Sequence, residues 1–192
     1  MKRWFVVELM LAATLLLAVT ARADEDVASK AAVCEACHGA QGNSRDGAYP
    51  IIAGQNARYI YLELRDFKEG RRSNPLMSPM AAAMSKQDMQ AYADYFAAQK
   101  EQPTPFKADL RKAALGKQKA DETLCSMCHQ GEFVGQNEIP KVAGQHPEYV
   151  IKQLMDFKNH VRTNDAGNMS SVSKTLTAED MENLANYIAT LY

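Results

Sequence analysis

The sequence has no block of like charge. Its 22 lysines and arginines stand against 23 aspartates and glutamates, which offers no electrostatic footprint for nucleic acid. Long apolar runs are missing as well. The longest near the N-terminus, Leu9 to Val19, has 11 residues, whereas a spanning helix needs about 20. Nor is there a convincing alternation of apolar and polar residues, so β-sheet is excluded and the fold class is all-α. Tryptophan occurs once and cysteine four times in 192 residues.

The short apolar run has another use. Lys2 and Arg3 precede it, Ala21-Arg22-Ala23 supplies the small residues a signal peptidase reads, and Asp24-Glu25-Asp26 follows. That order is the anatomy of a secretory signal peptide over residues 1–23, cleaved after Ala23. The mature chain, Asp24 to Tyr192, then carries 19 basic against 22 acidic residues. Charge says little about its partner.

The mature chain is a tandem repeat. Cys34-Glu35-Ala36-Cys37-His38 matches Cys125-Ser126-Met127-Cys128-His129, and Pro50-Ile51-Ile52-Ala53-Gly54-Gln55 matches Pro140-Lys141-Val142-Ala143-Gly144-Gln145. Tyr59 pairs with Tyr149, Asp66-Phe67-Lys68 with Asp156-Phe157-Lys158, and Ser85 to Tyr95 with Thr177 to Tyr187. Two copies of this length are duplicated domains, since solenoid repeats are shorter and more numerous. Gln99 to Pro105, polar and broken by Pro103 and Pro105, reads as the connection. The expected units are an N-terminal domain at 24–101, a linker at 102–107 and a C-terminal domain at 108–192. Domains this small need a staple beyond their own core.

Helical spacing appears at 56–69 (Ile60, Leu64, Phe67) and at 147–159 (Val150, Leu154, Phe157). Gly70 is placed to end the first and Pro147 to start the second. Ser85 and Thr177 are N-caps, each with an Asp three residues on, followed by apolar stripes through Met89, Tyr92 and Phe96 and through Met181, Leu184 and Ile188. Asp26 to Val33 and Ala108 to Thr123 lead into the cysteine motifs as helices.

All four cysteines fall in two copies of Cys-x-x-Cys-His. A lone Cys-x-x-Cys is ambiguous between zinc, a redox dithiol and haem. A four-cysteine zinc site does not call for His in either copy, and a thioredoxin-type dithiol follows a strand that is absent here. Two plain disulfides leave the histidines unexplained. The duplicated motif therefore predicts two covalently bound haem c groups. On a turn of helix the two thiols reach the porphyrin vinyl groups, and the next imidazole points at the iron.

The other axial position decides between electron transfer and substrate chemistry. No cysteine is left over, so thiolate is excluded. His146 and His160 face Asn56 and Gly70 in the repeat and are expected to be solvated near helix ends. Counted back from the caps, Met77 and Met169 are matched methionines in loops, and they are the expected sulfur ligands. Met80 and Met84 face Val172 and Leu176, Met89 and Met181 lie on helix stripes, and all four are expected in the core. Met155 faces Arg65 and is no shared ligand. Pro50 and Pro140 follow the histidines, where a backbone carbonyl can accept the imidazole N–H.

With these residues in place the mature chain resembles the cytochrome c4 family of dihaem cytochromes. The resemblance is carried by Cys-x-x-Cys-His-Gly with Gly42-Asn43-Ser44, by Ala-Gly-Gln-x-x-x-Tyr at 53–59 and 143–149, by Arg162-Thr163-Asn164-Asp165, and by the methionine segments. It implies two class I cytochrome c folds related by a pseudo-twofold axis, with haem edges close at the interface and His/Met ligation. It implies a periplasmic electron carrier, not an enzyme, between a quinol-oxidising complex and a terminal oxidase, with peripheral membrane association possible. A cytochrome subunit of a periplasmic dehydrogenase acting on sulfide, alcohol or a similar substrate is the alternative, and a dihaem peroxidase or sensor a more distant one. Two departures stand out. Gln130 follows His129 where the family has Gly, and a local loop change is expected there. The first methionine loop, Asn74-Pro75-Leu76-Met77, is short and contains proline.

Overall fold

A computed structural model describes residues 27–191; the expected signal peptide, 1–23, lies outside them. Helix α1 spans 27–38 and carries the first cysteine motif on its last turns. A 3-10 turn (Ala40–Gly42), α2 (Ala57–Lys68), α3 (Met77–Ala82) and α4 (Lys86–Ala97) complete the first half. The second half repeats the order with α5 (Leu110–Glu122), α6 (Cys125–His129), a 3-10 turn (Gly131–Phe133), α7 (Pro147–Lys158), α8 (Asn168–Thr175) and α9 (Ala178–Ile188). Among the described residues the only β pairing is an isolated bridge between Gln136 and Ile139. The chain is all-α.

Helix ends follow their local chemistry. Ser85 and Thr177 each accept the N3 amide of Asp88 or Asp180, and each Asp returns a bond to the cap backbone, so two otherwise orphan N–H groups are satisfied per helix. Pro147 opens α7, where its missing N–H costs nothing. Past α2, Gly70 takes a left-handed φ of 72°; past α7, His160 takes 56° at the same place.

Each half has its own core. Ile60, Leu64, Met89, Ala93 and Phe96 pack with Ala31 in the first, and Val150, Leu154, Leu176, Met181, Leu184 and Ile188 with Ala120 and Phe133 in the second. The most extensive helix packing in the second half is α5 against α9. Gly116 permits it, because a Cβ there would lie 2.0 Å from the carbonyl oxygen of Asn183.

Some methionine expectations fail. Met80 is not core but 40% exposed, because α3 is a short surface helix and its stripe is covered only on the Ala81 side. Met84 is partly buried against the first core, while Leu176, Met89 and Met181 are fully inside.

The expected change lies in the loop after Gln130, where the Gly135 N–H meets the His129 carbonyl at 2.7 Å and Gln136 pairs with Ile139, while the backbone of Gln130 itself is unchanged. Gly39 has φ 75° and ψ 167°, and Gln130 has φ 61° and ψ 177°, a conformation open almost only to glycine. The backbone is kept and the side chain bears the strain. Gln130→Gly is therefore expected to stabilise the protein by about 1 kcal/mol, read as a higher urea midpoint. A midpoint that falls would show that Gln130 carries no strain.

Candidate haem sites and the surface between the halves

The two cysteine motifs sit on helix ends whose histidines are buried, His38 at 7% and His129 at 9% exposure. His38 Nδ1 lies 2.9 Å from the carbonyl oxygen of Pro50, and His129 Nδ1 lies 2.9 Å from that of Pro140. A carbonyl only accepts, so Nδ1 carries the proton and Nε2 keeps its lone pair. Burial pushes both imidazoles below their ordinary pKa, with the proline carbonyl opposing in part, which favours the neutral rings. The ring of His129 also stacks near Phe133, with centroids 6.3 Å apart, while Tyr49 meets His38 edge-on at 6.5 Å.

None of the four thiols is in a disulfide. Cys34 and Cys125 are half-buried, and Cys37 and Cys128 are exposed. Burial pushes the Cys34 and Cys125 thiols up. Cys34 and Met77 both pack against the rim of the first core, as Cys125 and Met169 do against the second. The methionines are not in loops, however. Met77 begins α3 and Met169 is the second residue of α8. Asn74 Oδ1 accepts the Met77 N–H at 3.0 Å, and Asp165 Oδ2 accepts the Ser170 N–H at 2.8 Å, so an Asx side chain starts each helix.

Paired thiols, a neutral imidazole with its outer nitrogen secured, and a thioether form a donor set suited to haem c. Among the described residues no three His, Cys, Asp or Glu side chains converge on a metal position. Ser173, fully buried and four residues after Met169, has the only buried side-chain polar atom among the described residues without a partner.

His146 is not solvated. It is 4% exposed, and its Nε2 meets the Ser44 carbonyl 3.0 Å away, across the two halves. That surface holds most of what the sequence did not reveal. Gln55 Nε2 donates to the Lys141 carbonyl at 2.7 Å, and Gln55 Oε1 accepts the Lys141 N–H at 2.8 Å. Gln145 does the same to Ile51, with both bonds at 2.9 Å. Arg72 donates to Tyr149 and Arg162 to Tyr59, both at 3.1 Å, and each guanidinium lies over a phenyl ring, of Phe67 or Phe157. Burial pushes the Tyr59 hydroxyl up to about 12.

The symmetry breaks at the centre of this cluster. Glu63 bridges both arginines, with Oε2 to Arg72 and Oε1 to Arg162 at 2.6 Å, while its counterpart Gln153 accepts from the same two at 2.7 and 2.8 Å. Next to it, Asp66 accepts from Asn164 of the other half at 2.8 Å. Burial raises the Asp66 carboxyl, but hydrogen bonds from Asn164, Arg71 and Arg65 outweigh it and hold the carboxyl below its ordinary value.

Two haem-attachment motifs on paired helical halves define a dihaem c-type cytochrome, an electron carrier with two covalently bound haem c groups. Residues 113–192 match the family model described as Cytochrome c. Cytochrome c4 of Pseudomonas aeruginosa is 38% identical over 175 residues, covering 85% of this chain and 86% of that protein. The thiosulfate dehydrogenase electron acceptor of Stutzerimonas stutzeri is 32% identical, covering 83% and 79%. The crystal structure of reduced recombinant cytochrome c4 from Pseudomonas stutzeri superposes with a TM-score of 0.81 at 36% identity, covering 88% of this chain and 98% of that one. The chain belongs to the cytochrome c4 family, and its two halves are class I cytochrome domains.

Breaking a buried ion pair from one side costs roughly 3–5 kcal/mol, because the other charge is left behind. Glu63→Gln is expected to destabilise the protein on that scale, read as a lower urea midpoint. A loss within 0.5 kcal/mol, the ordinary range for surface substitutions, would show the cluster is not a buried network. The Asp66 carboxyl is depressed, so its stabilisation is present above the unfolded carboxylate pKa and is lost as pH falls through the lower folded value. Asp66→Asn should accordingly flatten the acid limb of the stability profile.

Proposed function

We propose that the protein is a periplasmic one-electron carrier, taking electrons from a quinol-oxidising complex and delivering them to a terminal oxidase. When bound, each haem c supplies an Fe(III)/Fe(II) couple. The proposed attachment residues are Cys34 and Cys37 in one half and Cys125 and Cys128 in the other. The proposed axial ligands are His38 with Met77 and His129 with Met169. The proposed units are 24–101 and 108–192 joined by 102–107, preceded by a cleaved signal over 1–23.

The observation that carries the reading is the matched pair of buried imidazoles, each tied by Nδ1 to a proline carbonyl, with a methionine at equivalent places in both halves. With His38, Met77, His129 and Met169 holding the two irons, no coordination site would remain for a substrate. The fixed imidazoles would also hold the same ligands in both oxidation states, which favours fast electron exchange. His/Met ligation raises the potential, which suits an acceptor downstream of quinol. A second reading, an electron acceptor for a periplasmic dehydrogenase, is favoured by similarity to the Stutzerimonas stutzeri relative and uses the same two haems.

Mass spectrometry of protein matured in a c-haem-competent host should show a chain beginning at Asp24 plus two haems. The oxidised protein should show the weak near-infrared band of methionine sulfur on ferric haem. Met77→Ala and Met169→Ala should each remove about half of it, and Met80→Ala none; loss of the band in Met80→Ala would place the first ligand at the wrong methionine.

The function is tested kinetically. Reduced protein should be oxidised rapidly by membranes containing a terminal oxidase, and cyanide should block this. Isolated protein should not turn over thiosulfate, sulfide, alcohols or peroxide. Rapid reduction by a thiosulfate-oxidising enzyme with no oxidation by those membranes would favour the second reading.

A further inference from the structure

We infer that each half sets the electron-donating strength of the other half's haem-ligating histidine, through Gln145 acting on His38 and Gln55 acting on His129. This rests on the proposed ligation by those two histidines. The evidence is one peptide group in each half. The oxygen that accepts His38 Nδ1–H belongs to Pro50, and the N–H on the other side of that same peptide belongs to Ile51. That N–H is given to Gln145 Oε1 at 2.9 Å, from the second half of the chain. In the mirror arrangement, the Pro140 carbonyl holds His129 and the Lys141 N–H goes to Gln55 Oε1 at 2.8 Å.

Amide resonance joins the two ends of such a group: an acceptor on the N–H moves electron density onto the oxygen. The oxygen then pulls harder on the imidazole proton, and the ring becomes more basic at Nε2. A more basic ring stabilises the ferric state over the ferrous and lowers the potential. Both glutamines are buried, 7% and 8% exposed, so water does not screen the chain of bonds. Each amide is also held from its own side, because Gln145 Oε1 accepts the His146 N–H at 3.1 Å and Gln55 Oε1 the Asn56 N–H at 2.9 Å. Each oxygen is thus fixed in position rather than merely filling the interface. A glutamine needed only for docking the halves could have bonded any backbone group. These two meet the residue following the proline that holds the histidine, in both directions. Gln55 and Gln145 are positioning residues.

The test is a potential measurement resolved by haem, using haem-methyl NMR resonances assigned to each half during a redox titration. Gln145→Met keeps the length of the side chain and removes the acceptor. It should raise the reduction equilibrium constant of the haem in the first half about threefold, about 28 mV at 59 mV per tenfold for one electron. The second haem should move much less. Gln55→Met should do the reverse. A shift on the haem of the mutated half, an equal shift on both, or no shift overturns the inference. Should the methionine variants fail to mature with two haems, Gln145→Glu and Gln55→Glu retain an oxygen for the same N–H. In those variants the opposite haem's potential should hold or fall, and a rise overturns the inference. Failure of the ligation reading looks different, since wild-type mass would then lack a haem, or His38→Ala would leave the first site's axial spectrum unchanged.

Discussion

A peptide group has one oxygen to accept with and one N–H to give, and at Pro50–Ile51 and Pro140–Lys141 both are committed. The oxygen fixes a histidine of the same half, and the N–H is taken by a glutamine of the other. The orientation of each imidazole, the path of each proline loop and the docking of the halves are therefore one arrangement. Sliding one half by a residue would strip an acceptor from two buried amides, each costing about 1–3 kcal/mol. Relative position is fixed by these backbone bonds together with the arginine cluster between the halves.

The cores explain why so much depends on polar bonds. Ile60, Leu64, Met89 and Phe96, with Ala31 and Ala93, are a modest set for a domain of this size, and the second set is only somewhat larger. Units near 80 residues are marginal on side-chain burial alone. Cys34 with Met77, and Cys125 with Met169, lie partly buried at the rims of these cores. A large flat apolar group attached there by thioethers would add buried area and could not dissociate.

What was readable beforehand was whatever is repeated locally. The helices, their capping boxes, the cysteine motifs and the carbonyls of Pro50 and Pro140 all follow from spacing within one half. What was not readable depends on contacts about 100 residues apart. His146 looks like an exposed helix cap until Ser44 is brought against it, and Gln55 looks like a loop residue until Lys141 arrives. A signal for the second kind existed in the duplication. Gln55 and Gln145, Tyr59 and Tyr149, and Arg72 and Arg162 are polar pairs at matched positions with no local partner to explain them. The same matching singles out Met77 and Met169. They lie in helices rather than loops, because Asn74 and Asp165 start helices that the short runs after them do not announce. At Gln130 the surrounding chain holds the turn in a shape its own residue disfavours, and no spacing in the sequence announces it.

Glu63 and Gln153 occupy equivalent places, yet only one is a carboxylate. Two identical copies of a surface meeting about a true twofold axis present every charge twice. Two copies of the first half would set two carboxylates against two arginines, whereas two copies of the second would bury two arginines with none. The loss of one carboxylate thus gives the halves distinct identities. The first can neutralise either partner, the second needs the first, and tethering them in one chain guarantees that it is always there.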